Sequence, residues 1–233
     1  RSNSNPDWSG FGFLFQVDKT MTISVKYPRT YHVPWSPGTQ SDDRFLYDLS
    51  HFVGQDVVVT EKMDGENTSL YHDHLHARAV ETLAKHPSRT FIRSLHARVA
   101  KDIPEGWRVC GENIAAVHSI EYEKLPSFFM VFSIWNEKNE CLSWDETVEW
   151  CSLLDLQHVP VLYRGLWDET TMMTLHEKLD LSKQEGYVVR RSEKFSYENF
   201  GVFCAKWVRP KHVQTDEHWL NKPVKFNGFS ERY

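Results

Sequence analysis

Residues 56–71 read Asp-Val-Val-Val-Thr-Glu-Lys-Met-Asp-Gly-Glu-Asn-Thr-Ser-Leu-Tyr, and this stretch constrains the fold more than any other. Asp56–Glu61 is a β-branched run, which predicts a strand. Asp64-Gly65 turns the chain, because Gly accepts the backbone angles of a tight turn and Asp bonds its own backbone. Asn67–Tyr71 and Leu75–Val80 then alternate across a polar His72-Asp73-His74 link, as a hairpin does. Further strands are expected at Trp107–Glu112, Phe128–Trp135, His158–Leu162, Gly186–Arg190 and Val202–Val208. A helix capped by Ser88 and running to about Ala100 would put Phe91, Ile92, Leu95 and Val99 on one face. Two more are expected at Asp145–Leu154 and Glu169–Leu179. Pro28, Pro34, Pro37 and Gly38 make residues 26–43 an ordered loop. Strands dominate and no long series of βα units occurs, so the expected class is α+β with largely antiparallel sheets flanked by helices.

The chain has 233 residues, of which 40% are hydrophobic, enough for one substantial core. No apolar run is long enough to span a bilayer, so no membrane partner is expected. Met21 opens the coherent pattern. Residues 1–20 are expected to be a leader left by cloning or a flexible arm, residues 21–212 the folded domain, and residues 213–233 a short tail. Cys110, Cys141, Cys151 and Cys204 form no CxxC pair, which argues for buried free thiols in a reducing cytoplasm. The formal net charge of -5 excludes a protein that coats nucleic acid non-specifically. Any such contact must be local, and the candidate patches are Arg89, Arg93, Arg98 and Lys101, then Arg190 and Arg191, then Lys206, Arg209 and Lys211. Each also reads as a solvated face.

Alone, Lys62-Met63-Asp64-Gly65 is a charged strand end. The segments that follow change its meaning. Gly111-Glu112-Asn113 comes next, then Phe128-Phe129-Met130-Val131-Phe132, then Glu185-Gly186-Tyr187-Val188-Val189-Arg190, and finally Ala205-Lys206-Trp207-Val208-Arg209. This order resembles motifs I, III, IIIa, IV and V of the covalent nucleotidyltransferases, which include DNA ligases, RNA ligases and mRNA capping enzymes. The resemblance covers roughly residues 26–212. It is most similar to the ATP-dependent RNA ligases of the RNA ligase 2 type. Asn67, the leader Lys26-Tyr27-Pro28-Arg29-Thr30 with His32 and Pro34, and the region of Glu112 with His118, Ser119 and Tyr122 all point there.

The resemblance implies a nucleotidyltransferase (adenylation) domain with ATP in a groove between antiparallel sheets. It implies ATP and Mg²⁺ (or Mn²⁺) as cofactors and RNA ends as substrate, in a role such as RNA repair. Lys62 would be the nucleophile, forming lysyl-AMP. AMP would pass to an RNA 5′-phosphate, and a 3′-hydroxyl would then displace it. Glu61 would lie near adenine and Phe132 would stack on it. Asn67 and Arg78 would contact the nucleotide, Glu112 the ribose and Lys206 the AMP phosphate. Glu185 would hold the metal. A lysine attacking phosphorus must be neutral, so a nearby cation, or Lys206, with partial desolvation is expected to lower the pKa of Lys62.

Three departures stand against the pattern. Ser133 follows the stacking Phe where Asp is frequent. Motif V is often Lys-x-Lys in the family, but here it reads either Cys204-Ala205-Lys206 or Lys206-Trp207-Val208, so one lysine is missing, with Arg209 and Lys211 as candidate substitutes. About twenty-five residues follow motif V, too few for an OB-fold, so sealing would draw on this surface, the tail or a partner protein. A DNA ligase or a capping-type enzyme is one alternative. A nucleotide-binding module that has lost strand joining is another. His72, His74 and His76 read as a solvent-facing hairpin, with a metal site as the rival; Arg29 and His32 either touch phosphate or anchor the loop. Trp144, Trp150 and Trp167 read as packing residues.

Overall fold

The computed structural model describes residues 21–38, 41–79, 86–210 and 223–230. Twelve strands are present among them: β1 (Tyr31–His32), β2 (Asp56–Glu61), β3 (Glu66–Tyr71), β4 (Leu75–Ala77), β5 (Arg108–Asn113), β6 (Phe129–Trp135), β7 (Glu140–Cys141), β8 (Gln157–His158), β9 (Val161–Leu166), β10 (Gly186–Arg191), β11 (Phe195–Ser196) and β12 (Cys204–Val208). The α-helices are α1 (Thr90–Val99), α2 (Trp144–Leu153), α3 (Glu169–Thr174) and α4 (Phe200–Phe203). One sheet has the order β1-β12-β10-β2-β9, and the other β11-β7-β6-β5-β3-β4 with β8 beside β6. All pairings are antiparallel except β1 with β12 and β6 with β8. This is the expected α+β arrangement.

The β-branched run of β2 is buried on both faces, which is why it is continuous rather than alternating. Val57 and Val59 join Tyr187, Val189 and Trp207 in a core closed by Met172 of α3. Val58 points the other way, into a core between the sheets with Met63, Ile114, Met130 and Trp144. The outer face of the second sheet packs Leu70, Val109, Val131 and Ile134 against Ile92, Leu95 and Val99 of α1 and Cys151 of α2. Helix α2 starts with a capping box, Ser143 and Glu146 bonding each other's backbone N–H groups, a device worth about 1 kcal/mol. Each tryptophan expected to pack does so: Trp144 is buried, Trp150 lies against Trp107 and Trp167 against Phe52.

Some boundaries differ from expectation. The single strand expected at His158–Leu162 is two, because Pro160 has no N–H to give a ladder. β8 pairs in one sheet, the chain crosses at Val159-Pro160, and β9 pairs in the other. Ser88 does not cap α1; it lies in a 3₁₀ turn, and Arg89 is the residue before the helix. The helix expected at Glu169–Leu179 tightens to 3₁₀ from Leu175. The strand expected to begin at Val202 begins at Cys204, behind the short α4. The strand expected at Leu75–Val80 ends at Ala77, and Val80 lies outside the described residues. The arm at 1–20, Lys211 and most of the tail at 213–233 also lie outside them. Residues 223–230 pack on the loop at 114–125.

Candidate active site

A groove of about 640 Å³ opens between the sheets. Lys62 sits where β2 ends. Its backbone N–H donates to Gly186 O at 2.9 Å, extending the β2–β10 ladder by one bond. Its Nζ donates to Glu185 Oε2 at 2.7 Å. The Lys62 side chain is 26% exposed and that of Glu185 only 6%, so the amine faces the groove and the carboxylate lies behind it. Two glycines make this approach possible. A Cβ on Gly186 would lie 2.0 Å from Trp207 O, and one on Gly65 would lie 2.5 Å from Asn113 O. Gly65 N–H donates to Glu112 Oε1 at 3.1 Å.

Asp64 turns away from the groove. Its Oδ2 accepts from Ser119 N at 2.7 Å, Ser119 Oγ at 2.8 Å and Ile120 N at 2.8 Å. Its own N–H donates to the Tyr122 hydroxyl at 2.9 Å. Asp64 therefore fixes the turn after Lys62 to the loop at 114–125.

The charges shift in ways the geometry explains. Burial pulls the Lys62 pKa down, but the Glu185 carboxylate, with Glu112 behind it, outweighs burial and leaves the pKa raised. The expectation of a lowered pKa is therefore corrected for the ligand-free site, because the nearest charge to Lys62 is an anion. Burial pushes Glu112 up to about 8, against the pull of Lys62. Burial, helped by the charge of Lys62, brings Lys206 down to about 8. Burial also raises Glu61, although Gln184 Nε2 donates to its Oε2 at 2.9 Å.

Glu61, Lys62, Asn67, Arg78, Glu112, Phe132 and Lys206 all line this groove, and Glu185 joins it through Lys62. Asn67 Oδ1 is buried with no hydrogen-bond partner among the described residues, an acceptor that a donor on a ligand would satisfy. Arg78 is exposed at the rim, just after β4. Phe132 is half-buried and packs edge-to-face with Tyr27, the ring centroids 5.1 Å apart. Lys206 stands opposite Val188 in the β10–β12 ladder, and both side chains line the groove.

Other readings resolve differently. His32 is buried against Ser36 and Asp43, so it anchors the leader loop, whereas Arg29 lines the rim and is paired with Asp42. The histidine hairpin does not face solvent throughout: His76 is buried beside Tyr71, and His74 bonds Asp73 and Ser24. Among the described residues no three His, Cys, Asp or Glu side chains are grouped to hold a metal. Arg190 is buried, donating to Leu142 O and Cys141 Sγ, so it is not a surface patch. Val208, one of the two places where a second motif V lysine would stand, is buried; Cys204, the other, is a buried thiol that lines the groove. The Arg209 guanidinium donates to Leu181 O at 2.6 Å and is not part of the groove lining. All four cysteines are free and buried, as expected.

Sequence reasoning gave no site role to Tyr27 or to the Glu66–Arg89 pair. Arg89 Nε donates to Glu66 Oε1 at 2.9 Å, and both residues line the groove. Tyr27 belongs to the leader segment, and only the fold brings its ring to Phe132, far along the chain. Nothing in spacing links Glu66 to Arg89 across 23 residues.

Residues 55–208 match the family model for RNA ligases. The chain belongs to the RNA ligase family. A search of curated proteins gives no match. Among solved structures, the Naegleria gruberi RNA ligase with PPi is 23% identical with a TM-score of 0.52, over 69% of this chain and 51% of that one. A variant of the same ligase with ATP and Mn is 22% identical with a TM-score of 0.51, over the same shares. A putative ATP-dependent DNA ligase from Aquifex aeolicus is 20% identical with a TM-score of 0.51, over 78% of this chain and 49% of that one. This RNA ligase family member thus shares the ligase fold, α+β with antiparallel sheets around a groove, and its matches take in about half the length of each of those ligases. No helix among the described residues is long and apolar enough to cross a membrane.

Proposed function

We propose that this chain is an ATP-dependent RNA ligase in which Lys62 accepts AMP. The observation that carries the reading is the Lys62 amine, held 2.7 Å from a buried Glu185 at the mouth of a groove that also presents Phe132, Asn67 and Lys206. The Naegleria gruberi ligase with ATP and Mn, and with PPi, supports ATP and a divalent cation as the ligands here.

The residues divide the work. Phe132 and Val188 offer apolar surfaces on the groove's two walls for adenine. Glu112 is placed for the ribose hydroxyls, the unpaired Asn67 Oδ1 accepts a hydrogen bond from the substrate, and Glu61 lies near the base. Lys206 and Arg78 supply positive charge to the phosphates. Glu185 is the carboxylate fitted to a Mg²⁺ or Mn²⁺ ion, since such ions are commonly held by one or two carboxylates together with substrate phosphates. The ion would neutralise polyphosphate charge. Once the Glu185 carboxylate is engaged elsewhere, the strongest pull toward the charged form of Lys62 is gone and burial acts toward the neutral amine. Nζ then bonds the α-phosphorus of ATP, the bond from that phosphorus to the pyrophosphate oxygen breaks, and the surplus Nζ proton passes to solvent. AMP goes next to an RNA 5′-phosphate, and a 3′-hydroxyl displaces it and seals the strand, a reaction suited to RNA repair. A partner protein would extend the RNA-binding surface. The four buried free thiols support a reducing, cytoplasmic setting.

A second reading is favoured by one observation. Val208 and Cys204 stand where a second motif V lysine would, so the chain could take AMP without joining strands. DNA ligation is the further alternative, given the Aquifex aeolicus likeness. Incubation with Mg²⁺ and α-labelled ATP, then denaturation, should leave covalent label on the wild type and none on Lys62→Ala. Absence of label on the wild type would refute the enzyme, and label on the variant would refute the site. A chase with nicked RNA, nicked DNA or single-stranded RNA selects the substrate.

A further inference from the structure

Residues 223–230 lie along the loop at 114–125 as an added edge. Val117 N–H donates to Lys225 O at 2.7 Å, Asn227 N–H to Ala115 O at 2.9 Å, Gly228 N–H to Tyr122 O at 2.7 Å, Leu125 N–H to Gly228 O at 3.0 Å and Ser230 N–H to Leu125 O at 2.9 Å. At the centre is Asn227, 5% exposed. Its Nδ2 donates to Ile114 O at 2.8 Å and Ala116 O at 3.2 Å, and its Oδ1 accepts from Tyr122 N–H at 2.8 Å. Beside it Gly228 is pressed so close that a Cβ would lie 1.9 Å from Glu123 O. An amide buried with both its ends bonded is specific to this geometry, since neither a carboxylate nor an aliphatic side chain can make the same set.

The loop so held is the one that grips the turn after Lys62. Tyr122 takes part twice: its backbone N–H is bonded by Asn227, and its hydroxyl accepts from Asp64 N–H. Ser119 and Ile120 of the same loop give the Asp64 carboxylate its three hydrogen bonds. Asp64 is two residues from Lys62. Asn227 itself does not line the groove.

We infer that Asn227 is a positioning residue for the Lys62 reaction, acting through Tyr122 and the loop at 114–125 to hold the Lys62–Gly65 turn. Adenylylation depends on the angle and distance at which Nζ meets phosphorus, and a displacement of about 1 Å can cost about 10²-fold in rate. The proposed nucleotide contacts Phe132, Glu112 and Lys206 come from strands, and His118 is the one residue of this loop in the groove lining. The rate of AMP transfer should therefore suffer more than ATP affinity does.

The inference rests on Lys62 as the AMP acceptor, and the test separates the two. In the full chain, Asn227→Ala removes the side-chain bonds and Gly228→Ala pushes the segment off Glu123 by an independent route. Single-turnover labelling at saturating ATP gives a first-order rate constant that does not depend on how much of the protein is folded. Both variants should label about 10-fold or more slower, with the ATP dissociation constant within about threefold of wild type. Tyr122→Phe should slow labelling too, and adding it to Asn227→Ala should cost less than the product of the two single effects, because they share one path. Labelling by both variants within twofold of wild type overturns the positioning role. So does a loss that lies wholly in ATP affinity, or full multiplicativity with Tyr122→Phe. A wild type that takes no label sinks the Lys62 reading as well.

Discussion

The end of β2 and the middle of β12 each bring a lysine to the same groove, and the two surroundings act in opposite directions. Lys206 has burial and the nearby Lys62 against its charge, and falls to about 8. Lys62 is also disfavoured by burial, yet its pKa is raised because the Glu185 carboxylate lies 2.7 Å from Nζ. One close anion outweighs desolvation. The lysine that is easier to deprotonate in the resting protein is thus not the proposed nucleophile. The difference suits the proposed roles, Lys206 at the phosphates and Glu185 as the group that sets when Lys62 becomes reactive.

The largest effect should come from breaking the contrast at Glu185. Glu185→Gln removes the anion that raises the Lys62 pKa and the carboxylate proposed to hold the divalent ion. AMP transfer at saturating ATP should drop by about 10²-fold, while Lys62 itself reacts faster with a neutral amine-modifying reagent at pH 8. An unchanged transfer rate would remove Glu185 from the mechanism. At Lys206 the expected effect is smaller. Lys206→Ala should weaken ATP binding by about tenfold, the value of one partly buried charge contact. The pH dependence follows with a definite sign. Below about 8 the Lys206 ammonium is already formed; above it, the proton must be taken up on binding. ATP affinity in the wild type should therefore fall as pH rises through about 8, and Lys206→Arg should flatten that fall, as calorimetry in two buffers can show. Deprotonation of Glu112 over the same range adds to the wild-type fall.

The smallest effect concerns stability. The Glu112 pKa in the fold, about 8, lies above its ordinary value of 4.5. The contribution of this group is then fully favourable below about 4.5 and is lost progressively as pH rises to about 8. Glu112→Gln keeps an oxygen to accept from Gly65 N–H and removes the charge. Its Tm at pH 8 should exceed that of the wild type by about 2–4 °C, with the gain absent at pH 4, even though ribose binding suffers. A Tm below that of the wild type at pH 8 would show that the Glu112 charge is compensated.

What could be read from the sequence follows from the range of the forces involved. β2 was legible to the residue, because a β-branched run ended by a charged turn is a local signal. That Lys62, Glu112, Phe132 and Lys206 meet in one groove was legible from the order of the motifs along the chain. The split of His158–Leu162 into two strands was missed although Pro160 marked it, since an apolar run outweighed a single breaker. The Glu66–Arg89 pair and the burial of Arg190 depend on how distant elements pack, and no local pattern carries that. The raised pKa of Lys62 was missed for a related reason. Motif order places Glu185 in the site, but not at 2.7 Å from Nζ. Asn227 was hidden most deeply, because its three side-chain bonds all run to a loop more than a hundred residues earlier.

The crossings between the sheets have a mechanical consequence. The chain leaves β2 for β3 through Lys62–Gly65, and it leaves β8 for β9 through Val159-Pro160. The two crossings lie side by side, joined by Glu61 N–H donating to Pro160 O at 2.8 Å. Parting the sheets at that place would have to stretch two covalent threads at once. Lys62 therefore stands at a double-stitched seam, where the walls of the groove are tied to each other.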